Sequence, residues 1–356
     1  MTRSRLRDLG ITIGTYPTGP YNAITDVPGV WVGHKTLIYD EPRLARTGVT
    51  VIVPREGAIW KDHAFAGFHS FNGCGEMTGL PFIEEFGVLS SPIAITNTNQ
   101  VGLAHQAIVA YGAGQHYGFA FKLPVAAETY DGWLNDIDAF HLTEAHVREA
   151  LDSAAGGPVA EGNVGGGTGM ICHDFKGGIG TSSRVVDDES GRYTVGALVQ
   201  ANHGDRALLR VDGVPVGREI GPDHTPLPWH EPPKGGSIIV VMAMDAPLLP
   251  DQCKRLARRA TVGLARVGSV GHNTSGDIFL AFATGNHVPA GARAPFDIKV
   301  LPHLNPFFEA VAEVVEESIL NALTAAETMT GFNGHTAHAL PLDELQRVMA
   351  RYRPRA

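Results

Sequence analysis

Apolar residues run along this chain in two rhythms. Residues 48–53, 92–96, 195–201, 238–241 and 276–283 are nearly continuous apolar runs of strand length, the pattern of strands covered on both faces. Residues 24–33 read as a short strand, a turn at Pro28-Gly29 and a second strand. Elsewhere the apolar positions follow the helical period. In residues 101–111, Leu103, Ala104, Ala107, Ile108 and Tyr111 share one side of a helix. In residues 250–266 that side holds Cys253, Leu256, Ala257, Ala260 and Leu264, with Pro250 in the first turn. Residues 305–328 open on Asn305-Pro306 and turn Phe308, Val311, Val315, Ile319 and Ala322 inward, and a last short helix follows Pro341. Strands and helices come in groups, not in strict alternation. That order predicts an α+β fold with helix layers packed on stacked sheets, in preference to a doubly wound parallel sheet.

Composition narrows the class. The 356 residues, 44% hydrophobic and 18% charged, suit a globular protein that folds as one unit. A formal net charge of −9 argues against nucleic acid or an anionic membrane as partner. Cys74, Cys172 and Cys253 stand far apart and read as buried thiols in a reducing compartment, not as a disulfide frame. Arg3, Arg5 and Arg7 are not followed by the apolar stretch of a secretion signal, and no apolar run of about eighteen residues occurs. A cytoplasmic location is the expectation.

Several motifs fall away. Gly162-Asn163-Val164-Gly165-Gly166-Gly167-Thr168-Gly169 looks like a phosphate loop, but no Gly-Lys-Ser/Thr follows it. Close approach of a backbone explains those glycines better. The Gly-x-Ser-x-Gly elbow and the His-Glu-x-x-His zinc motif are both absent. His141 and His146, five apart, would lie on different faces of a helix, and His335 and His338 have no carboxylates around them. No metal and no organic cofactor is expected.

Two constellations carry chemistry. At Gly236-Ser237 a loop running from Pro232 meets the apolar run 238–241. A cut between them would leave Ser237 with a nucleophilic hydroxyl and an α-amine able to take its proton. An α-amine, with a pKa of about 7.7–8.0, is better suited to that role at neutral pH than a lysine. Glycine on the acyl side would admit unusual φ/ψ values. In Ser275-Gly276-Asp277, strand alternation puts the hydroxyl and the carboxylate on one face, with room for another backbone over Gly276. Such a pair either caps a strand or polarises a second nucleophile.

Separated motifs in fixed order then point to a family. They are residues 21–30 (Tyr21 to Val30), Ala66-Gly67-Phe68-His69-Ser70, Gly75-Glu76-Met77-Thr78-Gly79, Ile95-Thr96-Asn97-Thr98 and Ala127-Glu128-Thr129-Tyr130-Asp131-Gly132. The glycine run 161–170, Val199-Gln200-Ala201-Asn202, Gly236-Ser237-Ile238-Ile239 and residues 275–282 complete the set. Nearly end to end, the chain resembles the self-processing serine aminopeptidases that include DmpA, an L-aminopeptidase/D-Ala-esterase/amidase, and the β-peptidyl aminopeptidases. The resemblance implies a four-layer αββα sandwich, layered like the N-terminal-nucleophile hydrolases but connected differently. It implies self-cleavage of one compact domain into residues 1–236 and 237–356, and assembly as a tetramer of αβ units. By position Ser237 matches the nucleophile, Ser275 and Asp277 its supporting pair, Asn202 an oxyanion donor and Tyr130 the substrate or oxyanion region. The acidic position is Glu in some relatives and the shorter Asp here.

The substrate would be a small peptide, amide or ester with a free amine, and Asp131 or Glu128 is a candidate to hold its ammonium. Two rival readings are an acyltransferase like the ornithine acetyltransferases, whose nucleophile is threonine, and an uncut, non-catalytic relative.

Overall fold

The computed structural model describes residues 3–113, 122–229 and 236–353. The loop from Pro232 to Gly235, on which part of the self-cleavage reading rests, lies outside them. In chain order the strands are β1 (Trp31–Tyr39), β2 (Ala45–Val53), β3 (Asp62–Gly73), β4 (Val88–Leu89), β5 (Ile93–Asn97) and β6 (Val125–Thr129). A small hairpin, β7 (Ile171–Cys172) and β8 (Phe175–Lys176), precedes β9 (Gly178–Asp188), β10 (Gly191–Asn202), β11 (Gly236–Met244) and β12 (Ser275–Pro289). A second hairpin pairs β13 (Met329–Thr330) with β14 (Thr336–Ala337). The helices are α1 (Leu80–Phe86), α2 (Val101–Ala113), α3 (Glu144–Asp152), α4 (Val216–Glu219), α5 (Pro250–Ala257), α6 (Ala260–Arg266), α7 (Asn305–Ala325) and α8 (Leu342–Tyr352).

The strands make two main sheets, β1-β2-β5-β6 and β4-β3-β12-β11-β10-β9. Helices α2 and α3 cover the outside of the first, and α5 and α7 cover the outside of the second, with α6 packed on α7. The expected αββα layering is present. Pairing is antiparallel except for β5 with β6 and β11 with β12.

Strand β11 is central because its sequence is apolar on both faces. Ile238, Val240 and Met242 pack toward the helices with Phe279 and Ala281 of β12. Ile239, Val241 and Ala243 pack between the sheets with Ile278, Leu280 and Phe282. Each fully buried side chain of this size contributes about 1.5–3 kcal/mol relative to exposure, so a long apolar run is stable only between two covered faces.

Helix α7 departs from the amphipathic expectation: it is buried over nearly its whole circumference. Phe307 is the fully buried aromatic, whereas Phe308 is half-buried beneath the guanidinium groups of Arg255 and Arg259. The polar side of α7 is satisfied internally. Arg184 of β9 binds Glu313 at 2.7 Å and Glu317 at 2.6 Å, and Arg7 reaches Glu317 at 2.8 Å. Burial would raise the Glu317 carboxyl, but Arg7 and Arg184 hold it below its ordinary range. Gly180 makes this docking possible, since a Cβ there would stand 1.9 Å from the Ser318 carbonyl oxygen.

Other boundaries shift from the sequence reading. Residues 24–26 form a 3₁₀ turn, so the first strand begins at Trp31. The expected helix over 250–266 is broken between α5 and α6, where the Arg259 N–H turns back to the Leu256 carbonyl at 2.8 Å in a tighter i−3 bond. Helix α7 stops at Ala325, since Ala326 is extended. His141 lies ahead of α3 and not on it, its ring between the Tyr39 hydroxyl and the Leu44 carbonyl.

Candidate active site

The ends of β6, β10, β11 and β12 converge on one cavity of about 790 Å³. Ser237, second residue of β11, stands opposite Asn202 in the antiparallel register and beside Gly276 in the parallel one. Register partners point to the same face, so the Ser237 and Asn202 side chains both enter the space between the sheets. The Gly276 N–H donates to Ser237 Oγ at 3.1 Å. Gly276 has no room for a side chain, because a Cβ would meet the Cys74 carbonyl oxygen and Gly75 Cα at 2.7 Å. The anticipated backbone approach over this glycine is therefore observed.

Ser275 and Asp277 do share a face, as alternation predicts, and the Ser275 hydroxyl donates to Asp277 Oδ1 at 2.7 Å. That face is the other one. Asp277 is paired with Ile238, whose side chain points to the helices, whereas Ser237 points between the sheets. The Ser–Asp pair therefore does not lie on the face that carries the Ser237 hydroxyl. Asp277 is fully buried, and its Oδ2 has no hydrogen-bond partner among the described residues. Burial pushes its carboxyl up to about 6, with the Ser275 hydroxyl pulling the other way.

Asn202 is held at both ends of its amide. Its Oδ1 accepts from the Ile171 N–H at 2.8 Å, and its Nδ2 donates to the Tyr130 carbonyl at 2.9 Å. One Nδ2 hydrogen remains to face the cavity. Tyr130 borders the same space, half-exposed. Gly236 takes extended backbone at the start of β11, and its φ is not positive. The expectation of unusual dihedrals is thus corrected. Space there is tight, since a Cβ would lie 3.1 Å from the Asn202 carbonyl oxygen and 3.2 Å from His203 Cα.

The two acidic candidates separate. Glu128 borders the cavity, accepting from the Glu76 N–H at 2.9 Å and from the Thr98 hydroxyl. Burial raises its carboxyl, and those two donors oppose the shift. Asp131 is 1% exposed and is not among the cavity's lining residues. It turns back to Asn135 Nδ2 at 3.1 Å, and burial pushes its carboxyl up to about 7. Asp131 anchors a loop, not the entrance.

Sequence reading missed the far wall of the cavity. Trp133 and Trp229 meet edge to face with centroids 5.8 Å apart, and His335 stacks on Trp133 at 3.8 Å. His272 completes the rim, 3.5 Å from the Asp205 carboxylate. Two of the chain's four tryptophans lie in loops, and that was the one available signal. The glycine run 162–169 threads between the sheets. A Cβ on Gly166 would meet Gln200 Oε1 and the Ile95 carbonyl oxygen, and one on Gly167 would meet the Ile179 nitrogen.

A strand-end serine, an amide with a free N–H and a buried hydroxyl–carboxylate pair around a deep cavity define a serine hydrolase. The pattern of the family described as Peptidase family S58 matches residues 22–337. A curated relative, the β-peptidyl aminopeptidase BapA of Sphingosinicella microcystinivorans, is 47% identical over 368 residues, which cover 98% of this chain and 92% of the relative. A solved structure titled Burkholderia sp. β-aminopeptidase superposes with a TM-score of 0.93 at 50% identity, covering 99% of this chain and 100% of the other. The L-aminopeptidase D-Ala-esterase/amidase from Ochrobactrum anthropi, titled a prototype for the serine aminopeptidases and a new variant of the Ntn hydrolase fold, superposes with a TM-score of 0.90 at 48% identity over 98% of both chains. The chain belongs to peptidase family S58. It is a serine aminopeptidase with the Ntn-hydrolase-like fold variant of that family.

Proposed function

We propose that the chain cuts itself between Gly236 and Ser237, and that the exposed Ser237 then releases N-terminal residues from small peptides, amides or esters. The observation that carries this reading is the meeting of Ser237, Asn202 and the Ser275–Asp277 pair at one strand end. In the precursor, Ser237 Oγ attacks the Gly236 carbonyl, the acyl group moves from nitrogen to oxygen, and water hydrolyses the ester. In the mature enzyme, the same oxygen attacks the carbonyl of the substrate's first residue. The freed α-amine takes the hydroxyl proton and returns it to the leaving group, and the Asn202 amide stabilises the oxyanion. The Ser275–Asp277 pair orients that amine, a role supported by its position on the opposite face from the hydroxyl.

Glu128 receives the substrate ammonium, supported by its place on the cavity wall and by the absence of a cation among its hydrogen-bond partners in the described residues. The acyltransferase alternative finds no support in the comparisons. One compact unit split into two chains is proposed, working in a reducing, cytoplasmic compartment. Three unpaired cysteines support that location. Assembly as a tetramer is supported by the exposed apolar side chains of Phe296, Ile298 and Val300, which alternate along one surface segment.

N-terminal sequencing of the smaller fragment of purified protein should read Ser-Ile-Ile-Val. A different start, or an intact chain that still hydrolyses aminoacyl p-nitroanilides, would overturn the scheme. The pH profile tests the Asp277 role separately. Its carboxyl is raised, so it is neutral below about pH 6 and charged above. Only the charged form can hold the amine through Ser275, so kcat should rise with pH through about 6. Asp277→Asn should lose most of its rate and that limb together. A wild-type limb near the ordinary carboxylate range, about 4, would remove Asp277 from the proton path.

A further inference from the structure

Beneath the wall of the cavity lies a cluster that the hydrolytic chemistry does not use. Cys172 ends β7, His173 follows it in the hairpin turn, and His203 follows β10 directly after Asn202. The Cys172 sulfur and one nitrogen of each imidazole come together, all within 4.8 Å of one another and all buried. Cys172 Sγ lies 3.8 Å from His203 Nε2. Bonds of about 2.0 Å to nitrogen and 2.3 Å to sulfur at a tetrahedral angle place two ligand atoms about 3.6 Å apart.

The rings are prepared for the role. His173 Nδ1 meets the Asp205 carbonyl at 3.0 Å and must therefore carry the hydrogen, leaving Nε2 with a free lone pair. That backing of an imidazole by a carbonyl is the usual support of a metal-binding histidine. Among the described residues His173 Nε2 is buried without a hydrogen-bond partner, an arrangement that proteins otherwise avoid.

We propose that Cys172, His173 and His203 bind a thiophilic divalent metal ion, Zn²⁺ being the best match, through the sulfur and two imidazole nitrogens. On binding, Cys172 releases its thiol proton to solvent and a metal–sulfur bond forms. His203 also borders the cavity. The ion performs no step of hydrolysis. It ties the β7–β8 hairpin to the end of β10, the two segments that grip Asn202 through the Ile171 N–H and the main chain. It would thereby act as a positioning element for the oxyanion donor.

The test uses the full protein carrying Cys74→Ser, which removes the exposed thiol, stripped with a chelator and titrated with Co²⁺ and then Zn²⁺. One equivalent of Co²⁺ should give a thiolate-to-metal charge-transfer band and the intense visible bands of a tetrahedral site, both lost as Zn²⁺ displaces it. Cys253 cannot supply that signal, because its sulfur faces the Phe65 carbonyl on the β3 side of α5. Cys172→Ala should abolish the band, and His203→Gln should weaken Zn²⁺ binding by at least about tenfold, with circular dichroism confirming that each variant folds. If Cys172→Ala fails to fold, the Cys74→Ser spectrum alone decides. A Co²⁺ adduct with no sulfur band, or Zn²⁺ bound with unchanged stoichiometry and affinity in Cys172→Ala, would assign the binding to surface histidines and overturn the proposal.

Discussion

Ser237→Ala should migrate as a single band of full length and turn over no aminoacyl p-nitroanilide, while retaining the wild-type circular dichroism spectrum. One atom supplies both reactions in the scheme, so one substitution ends both. The fold has little stake in that oxygen. Ser237 is 5% exposed and among the described residues its hydroxyl accepts a single hydrogen bond, from the Gly276 N–H, a loss of about 1 kcal/mol in a typical case. The chemical loss is of another order, since removing the nucleophile of a serine hydrolase costs on the order of 10⁶ in kcat. Ser237→Thr sharpens the test, because it keeps the hydroxyl and adds a methyl group in a site already crowded by Asn202 and Gly276. Cleavage should slow without stopping. Two fragments from purified Ser237→Ala would mean that an outside protease makes the cut, and the precursor chemistry would have to be abandoned.

The layers were legible because burial on two faces writes itself into the chain. Residues 238–241 and 278–282 are apolar without interruption, and they are adjacent central strands. What stayed hidden was pairing. Nothing in spacing says that Asn202 stands opposite Ser237, 35 residues away; the resemblance to a family supplied that residue. The period of two in Ser275-Gly276-Asp277 correctly gave a shared face for the hydroxyl and carboxylate, but not which face relative to Ser237, since that depends on the register of a second strand. Asp131 was misread because a carboxylate next to a site residue looks available in sequence, although the loop after β6 turns it into the protein, onto Asn135. The tryptophan wall and the Cys172–His203 cluster each join segments distant in sequence, and loops leave no periodicity to read.

Asn202→Ala should lower kcat by about 10²–10³ and leave KM for a free-amine substrate within a few-fold of wild type. The ground-state carbonyl needs little from this amide, whereas the tetrahedral intermediate places a full negative charge before it, so the interaction is made chiefly in the transition state. The strength of the effect rests on preorganisation. Both ends of the side chain are already engaged, with Ile171 and with the Tyr130 carbonyl, leaving one N–H aimed without a rotamer search. Asn202→Asp makes the stronger case. It preserves the shape and the bond from Ile171, yet it sets a carboxylate against both the Tyr130 carbonyl and the developing oxyanion, so its kcat should fall below that of the alanine variant. Because Gly236 packs against the same strand end, both variants should also accumulate uncut precursor on a denaturing gel. Equal kcat values for wild type and Asn202→Ala, measured on fully cut enzyme, would transfer the oxyanion role to main-chain donors such as the Gly276 N–H.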